Sequence, residues 1–414
     1  MRNILFTITL LVIALHLKGQ VLITLQESIN RSKTNNPFLR TQRYESEIAK
    51  SDITSAKLRL NPDFQAQIYM IPQSQYWANN TGILHPDNTQ TWYQIGMPFR
   101  LKPIRKLATD FATKNLSFTE NNVLEFERNL VYDVSNLWLD IWALQTNLEI
   151  IQSAKINIDT LVEINENRLK NEVITQSELI RTIVLSEQYA LQIRDIEQQY
   201  INQTRRLKVA TGSNDSILIN PNDPFIFNQQ LPNLDSLNKI ALRYRTDLQS
   251  AEIGITVAKS NQNLQEALVY PNLYGATFFN PQNAVPYIGF IAGIQLPIFD
   301  RNQGNIERSK SILKQTESRV NAIKTSILTD VQNSYNAYVI SKGNLQRFQN
   351  IMIQSETVLS TVKYRYLKGN TTIIDFLEAQ RTALETKKKY YDEVLAYRKS
   401  YLTLLYASGL INEL

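Results

Sequence analysis

The hydrophobic pattern along the chain changes period at two places, and each change runs in the same direction. In "YIGFIAGIQLPIF", residues 287–299, Ile288, Phe290, Ala292, Ile294, Leu296 and Ile298 alternate with Gly289, Ile291, Gly293, Gln295 and Pro297, which is the period of a β-strand. After Asp300 the pattern becomes helical and stays so for roughly 65 residues. An earlier stretch does the same. Tyr93, Ile95, Met97 and Phe99 alternate with Trp92, Gln94, Gly96 and Pro98 before a second long helical run. Phe64, Ala66, Ile68 and Met70 alternate with Gln65, Gln67 and Tyr69. Strands are therefore expected over about 63–72, 90–100, 271–280 and 286–298, the third alternating least cleanly.

Long helices are expected over about 105–169 and 301–367, and shorter ones over 25–60, 174–211, 234–268 and 372–408. At the α-helical rise the long ones reach roughly 100 Å and the short ones roughly 55 Å, so two short helices end to end match one long one. That arithmetic suggests the wall of a cylinder. Leu130, Val134, Leu137, Ile141, Leu144, Leu148 and Ile151 form a heptad series, and Val331, Tyr338, Leu345, Met352, Leu359 and Tyr366 recur every seven residues. Both predict left-handed supercoiled packing.

The chain is one unit written twice. Residues 35–67 align with 244–276, so that Leu39 falls on Leu248 and Pro62 on Pro271. "GMPFRL" at 96–101 matches "QLPIFD" at 295–300, and "LKNEVITQSEL" at 169–179 matches "LKGNTTIIDFL" at 367–377. "RLKVATG" ending at Gly212 matches "TLLYASG" ending at Gly409. The first repeat is expected over 20–212, a linker rich in Asn, Asp and Pro over 213–233, and the second repeat over 234–414.

Each strand has about ten residues, enough to cross a bilayer when tilted. Trp77, Trp92, Tyr69, Tyr76, Tyr274 and Tyr287 lie near strand ends or loops, where interfacial aromatics belong. Four strands cannot close a barrel, and exposed strand edges cannot sit in lipid. Several chains must then share one barrel, and three would give twelve strands.

Composition narrows the function. Residues 1–19 read as a signal peptide, with Arg2 before an apolar run from Ile4 to Leu15 that is too short to span a bilayer. Its removal takes Arg2 and Lys18 and lowers the formal charge from +6 to about +4. That is too weak and too dispersed for nucleic acid. Cysteine is absent, so disulfides and a lipidated N-terminal thiol are excluded. With His85 the one histidine of the mature chain, thiolate zinc sites, His-based dyads and multi-His metal sites are excluded as well. No cofactor is expected, and no nucleophile–base or metal constellation marks an enzyme.

The "NNPFL" and "RTDL" openings, Pro62 and Pro271 before strands, "MPFRL" and "LPIFDRNQG" after strands, and "YLKGNTTIIDFLEAQRTAL" at the second helical turn together resemble the TolC family of outer-membrane efflux and secretion channels. The resemblance covers nearly all of the mature chain. It implies a mainly α fold with a transmembrane β-barrel portion: a long coiled-coil helical barrel plus four strands per chain, in a homotrimer sharing one twelve-stranded barrel. It implies a bacterial outer-membrane location with a large periplasmic portion, in contact with outer-membrane lipid. It also implies a passive duct coupled through a periplasmic adaptor (membrane fusion protein) to an inner-membrane transporter, the RND type first among the candidates. The alternative is a periplasmic coiled-coil adaptor or scaffold that never enters the membrane.

Within this resemblance, Pro62, Pro98, Pro271, Pro297 and Asp300 are the strand–helix junction residues. Pro297 suits a strand end, Asp300 an N-cap, and Pro103 the first turn of a helix. Gly369 supplies positive φ at the second helical turn and Thr372 caps the next helix. The resemblance places Asp375 and Glu378 at the periplasmic entrance, where three chains would form a carboxylate ring. Gly369, Asn370, Asn171 and Ser177 complete the gate candidates. Asn171 is aligned with Gly369, and Ser177 and Ile180 with Asp375 and Glu378, so acidity is expected from one repeat alone. Adaptor contacts are expected at Asn171, Glu172, Lys368, Gly369 and Asn370.

Overall fold

The computed structural model describes residues 21–213, 217–220, 223, 231–281 and 285–414. The expected signal peptide, residues 1–19, lies outside the described residues. Helix accounts for 74% of the chain, which makes the class mainly α. In order the elements are β1 (Val21–Ile23), α1 (Leu25–Asn35), α2 (Pro37–Lys57), β2 (Asp63–Met70), β3 (Thr89–Phe99), α3 (Lys102–Lys170), α4 (Gln176–Ala210), β4 (Ile217–Ile219), α5 (Leu234–Tyr244), α6 (Thr246–Ala267), β5 (Leu273–Asn280), β6 (Tyr287–Ile294), α7 (Gln303–Leu367) and α8 (Ile373–Ser408). None of the described helices is long and apolar enough to cross a membrane.

The chain divides into two compact units. The first comprises residues 1–42, 123–247 and 324–414. Val131, Val134, Trp138, Leu139 and Ile141 of α3 and Tyr401, Leu402 and Leu404 of α8 are all essentially buried in it. The heptad reading named Leu137, but the largest buried side chain is Trp138, one position on. A parallel pair, β1 with β4, aligns Val21 with Ile217 and Ile23 with Ile219. The periodicity did not announce it because three-residue strands show too little alternation to detect.

The helices expected over 25–60 and 234–268 are each two helices. In the first repeat the break falls at Asn36 before Pro37, whose ring cannot donate within a helix. The Asn36 amide oxygen accepts from the Leu39 backbone N–H at 2.9 Å, and its Nδ2 donates to the Ala210 carbonyl at 2.8 Å. In the second repeat the break falls at Arg245, which is buried. Its guanidinium donates to Asp247 at 2.6 Å, to Asp330 at 3.1 Å and to the Ala407 carbonyl at 3.4 Å. A second buried arginine, Arg128, donates to Glu125 at 2.8 Å and to the Tyr406 carbonyl at 3.0 Å. Two cations thus meet the C-terminal carbonyls of α8, the negative end of its dipole. Gly409 then ends the helix at φ 79°, and the Leu410 N–H returns to the Leu405 carbonyl at 2.8 Å, a left-handed glycine cap.

The second unit comprises residues 43–122 and 248–323 and holds an antiparallel sheet in the order β2-β3-β5-β6. The pairing register resolves the strand that alternated poorly. Phe64 pairs with Ile95, Ile95 with Thr277 and Thr277 with Phe290, while Leu273 pairs with both Phe99 and Ile294. Directly paired residues share a face. One face therefore runs apolar across all four strands, and Phe64, Ile68, Ile95, Ile288, Phe290 and Ile294 on it are each more than half exposed. The opposite face carries Gln65, Gln67, Gln94 and Tyr274. Here the Tyr274 hydroxyl donates to Asp63 at 3.2 Å and accepts from Gln94 at 2.9 Å. It crosses Gly96, where a Cβ would lie 1.9 Å from the hydroxyl oxygen. Phe278 on the same face lies 4.9 Å from Trp92 and passes over Gly289.

The junctions are less uniform than expected. Pro62 directly precedes β2, Pro271 stands two residues before β5, and Pro98 lies inside β3 opposite Tyr274. Pro98 is tolerated because β2 pairing ends at Gly96, leaving β3 a local edge there. In the second repeat β6 stops at Ile294 rather than running to 298, so Pro297 follows the strand instead of ending it. Asp300 is not the N-cap expected for the long helix. It accepts from the Asn302 N–H at 2.8 Å, Asn302 adopts φ 58°, and α7 begins at Gln303.

Candidate functional site at the helical turns

The long helices α3 and α7 end, within the first unit, in the same built turn. At the end of α3, the Val173 N–H donates to the Arg168 carbonyl at 2.8 Å and the Glu172 N–H to the Leu169 carbonyl at 2.9 Å. At the end of α7, the Asn370 N–H donates to the Arg365 carbonyl at 2.9 Å and the Gly369 N–H to the Tyr366 carbonyl at 3.0 Å. This is the Schellman pattern, which needs a left-handed residue. Those residues are Glu172, at φ 56°, and Gly369, at φ 78°.

The next helices start alike. The Thr175 hydroxyl accepts from the Glu178 N–H at 3.4 Å, and the Glu178 carboxylate accepts from the Thr175 N–H at 2.7 Å. The Thr372 hydroxyl accepts from the Asp375 N–H at 3.1 Å, and the Asp375 carboxylate accepts from the Thr372 N–H at 3.2 Å. Both are capping boxes.

These equivalences shift the repeat alignment by one residue. Glu172, not Asn171, occupies the left-handed position of Gly369. Glu178, not Ser177, is the counterpart of Asp375, and Arg181, not Ile180, that of Glu378. Both turns are therefore acidic in the first helical turn. The signal was present in "TQSE" and "TIID", each a cap residue with an acid three positions on. Asn171 sits on the turn with its Nδ2 donating to the Asn167 carbonyl at 2.8 Å, and the Ser177 hydroxyl lies 2.9 Å from that of Thr175.

Asp375 is held by the Thr372 hydroxyl at 2.7 Å and the Thr371 hydroxyl at 2.9 Å. Hydrogen bonds from Thr372, then Thr371, keep its carboxyl below the usual carboxylate range. Glu378 pairs with Arg381 at 2.9 Å, with both side chains exposed. Asn171, Glu172, Lys368, Gly369 and Asn370 are all exposed.

Behind the turns lies a contact that the sequence reading did not single out. Asn165 of α3 is fully buried. It donates to the Thr182 hydroxyl of α4 at 3.0 Å and accepts from the Tyr366 hydroxyl of α7 at 2.9 Å. The Tyr366 ring stacks on Phe376 of α8, centroids 5.3 Å apart, and the Arg168 guanidinium lies 4.8 Å from its centroid. Side chains from all four helices thus meet at this point. An asparagine at a buried position of a heptad helix was the available signal, since polar core residues fix register.

Residues 237–410 match the model of the family described as outer membrane efflux protein. Over 94% of this chain and 91% of the relative, the sequence is 22% identical to the outer membrane protein TolC of Vibrio cholerae. The chain is thus similar to the TolC family of outer membrane efflux proteins. Its fold is shared with solved structures. A membrane protein from Pseudomonas aeruginosa matches with a TM-score of 0.79 at 17% identity, over 93% of this chain and 92% of the other. The outer membrane protein VceC of Vibrio cholerae matches with a TM-score of 0.72 at 16% identity, over 93% and 96%. The efflux family model spans the repeat that carries Gly369 and Asp375, whereas the turn with Glu172 and Glu178 lies outside the matched residues.

Proposed function

We propose that this chain is the passive exit duct of an efflux or secretion assembly. Three copies close a twelve-stranded barrel in the bacterial outer membrane, and their helices enclose a periplasmic passage. The observation that carries this reading is the sheet of the second unit. Its apolar face is exposed on every strand, and β2 and β6 each pair on one side only. Lipid offers no hydrogen-bond partner to such edges, so other copies must close the sheet. Four strands fall short of the smallest membrane barrels, which have about eight, and three copies supply twelve.

The likeness to the efflux family supports the same reading. Energy then comes from an inner-membrane transporter, the RND type first among the candidates, through a periplasmic adaptor. The exposed turn residues Asn171, Glu172, Lys368, Gly369 and Asn370 are the surface offered to that adaptor. Asp375, Glu378 and the newly aligned Glu178 border the periplasmic entrance, where a ring of carboxylates favours cations.

The test is the native mass of protein extracted from fractionated membranes. A trimer from the outer membrane supports the duct. A soluble periplasmic monomer or dimer overturns it in favour of a scaffold. Ile294→Asp, on the apolar face, is expected to abolish barrel assembly. Neutralising Asp375 and Glu378 is expected to lower cation selectivity in planar bilayers, and unchanged selectivity would leave them as helix-capping acids.

A further inference from the structure

The two strand–helix junctions are equivalent in the repeat and differ in charge: at the second, Asp300 stands beside Arg301, whose Nε donates to the Pro297 carbonyl at 3.2 Å. Around the second, the cavity lined by Tyr270, Pro297 and Phe299 includes Asp300 and no lysine or arginine. Around the first, a cavity of about 270 Å³ is lined by Arg59, Arg100, Lys102 and Arg105 and no acid. None of these four cations has an ion-pair partner among the described residues. The second junction shows that the fold does not need this charge, so the cluster calls for a separate explanation.

Two further observations point to an anion. Helix α3 begins at Lys102, and its first turn holds Lys102 and Arg105 with no acidic residue. The donor end of a helix disfavours cations and attracts anions, so this helix start is electrostatically unfavourable until a negative group arrives. The same cavity is walled by Met97 and Phe99, which belong to the apolar face of the sheet. Cationic and apolar surfaces therefore meet in one place. The hairpin loops between the strands, residues 71–88 and 281–286, contain no lysine or arginine at all, so within the strand region the cations gather at the helix-side end alone.

We infer that the first junction binds the phosphate headgroup of an anionic glycerophospholipid, with its acyl chains along Met97 and Phe99. The inference rests on the membrane reading above and adds a lipid class, a site and a residue set to it. Arg59, Arg100, Lys102 and Arg105 supply the charge, and the positive end of the α3 dipole adds to it.

The experiment compares wild-type protein with R100Q/K102Q/R105Q and with the charge-keeping R100K/R105K. Each is extracted from membranes and placed in bilayer discs of phosphatidylethanolamine with a minor share of phosphatidylglycerol. After mild delipidation, native mass spectrometry counts the phosphatidylglycerol retained per chain. Wild type and the lysine variant are expected to retain it preferentially. The glutamine variant is expected to lose a preference on the order of a hundredfold, at about fivefold per cation.

Equal retention by wild type and the glutamine variant overturns the inference while leaving the membrane reading intact. So does displacement by inorganic phosphate alone, which would mark a soluble-anion site. Loss of the trimer in the glutamine variant with an unchanged lipid preference also overturns it, because the cations would then serve a contact between copies. Failure of the wild-type protein to enter the discs overturns the membrane reading and this inference with it.

Discussion

Tyr366→Phe removes one oxygen from the contact behind the helical turns and nothing else. The lost bond is 2.9 Å long and ends on Asn165, which is 0% exposed, so water cannot replace it. The ring remains, and with it the stacking on Phe376 and the Arg168 cation above it. The cost is the net hydrogen bond plus the stranded Asn165 carbonyl, about 1–3 kcal/mol. If the four helix ends open locally as a unit, that energy converts to roughly five- to 150-fold less amide protection. Hydrogen exchange over residues 162–170 and 360–376 reads it directly, while amides around Trp138 should keep their protection. Adding Asn165→Leu removes the stranded carbonyl and should restore part of the loss, since Thr182 still donates to the Glu178 carbonyl at 3.0 Å. On the proposed duct reading, the single variant should raise the open fraction in planar bilayers. Protection within about twofold of wild type at the helix ends would refute the view that this bond joins the hairpins.

Other outcomes follow from the same geometry. Gly369→Ala should destabilise the second turn by about 1–2 kcal/mol through backbone strain alone, because nothing lies within 4 Å of the added Cβ. Glu172→Gly should be neutral to stabilising by up to about 1 kcal/mol, because it relieves the same strain. Thermal unfolding of the two variants compares the signs. Thr372→Ala should cost about 1 kcal/mol of helix-start stability by hydrogen exchange. Because the folded-state Asp375 carboxyl is held below its ordinary value, its contribution is complete above the unfolded pKa and is lost as pH falls through the lower folded one. Exchange at the start of α8 should therefore accelerate only below the usual carboxylate range, and Asp375→Ala should abolish that acid limb. Arg128→Leu should cost roughly 3–5 kcal/mol, read as a lowered midpoint of chemical unfolding, because it leaves Glu125 and the Tyr406 carbonyl without their buried cation.

What the sequence determined by itself was everything encoded within a few residues or repeated at a fixed distance. The alternation of Ile288, Phe290, Ala292 and Ile294 is a period-two signal that needs no partner, and the heptads from Leu130 to Ile151 mark a helix face in the same way. The glycine at 369 was legible for the same reason. Tertiary structure decided what depends on a partner far along the chain. Thr277 and Gly275 do not look like members of an apolar face until Ile95 and Met97 are paired with them. Arg245 does not look like a helix breaker until Asp330 and the Ala407 carbonyl satisfy its buried guanidinium. The one-residue slip at the helical turns has a related cause. Asn171 resembles a left-handed residue by type, but the backbone geometry of the Schellman turn assigns that conformation to Glu172. Asn165 is polar by sequence and buried in the structure because Thr182 and Tyr366, on two other helices, satisfy both ends of its amide. Local periodicity is written residue by residue, whereas a buried polar group becomes affordable only through partners that the fold brings to it.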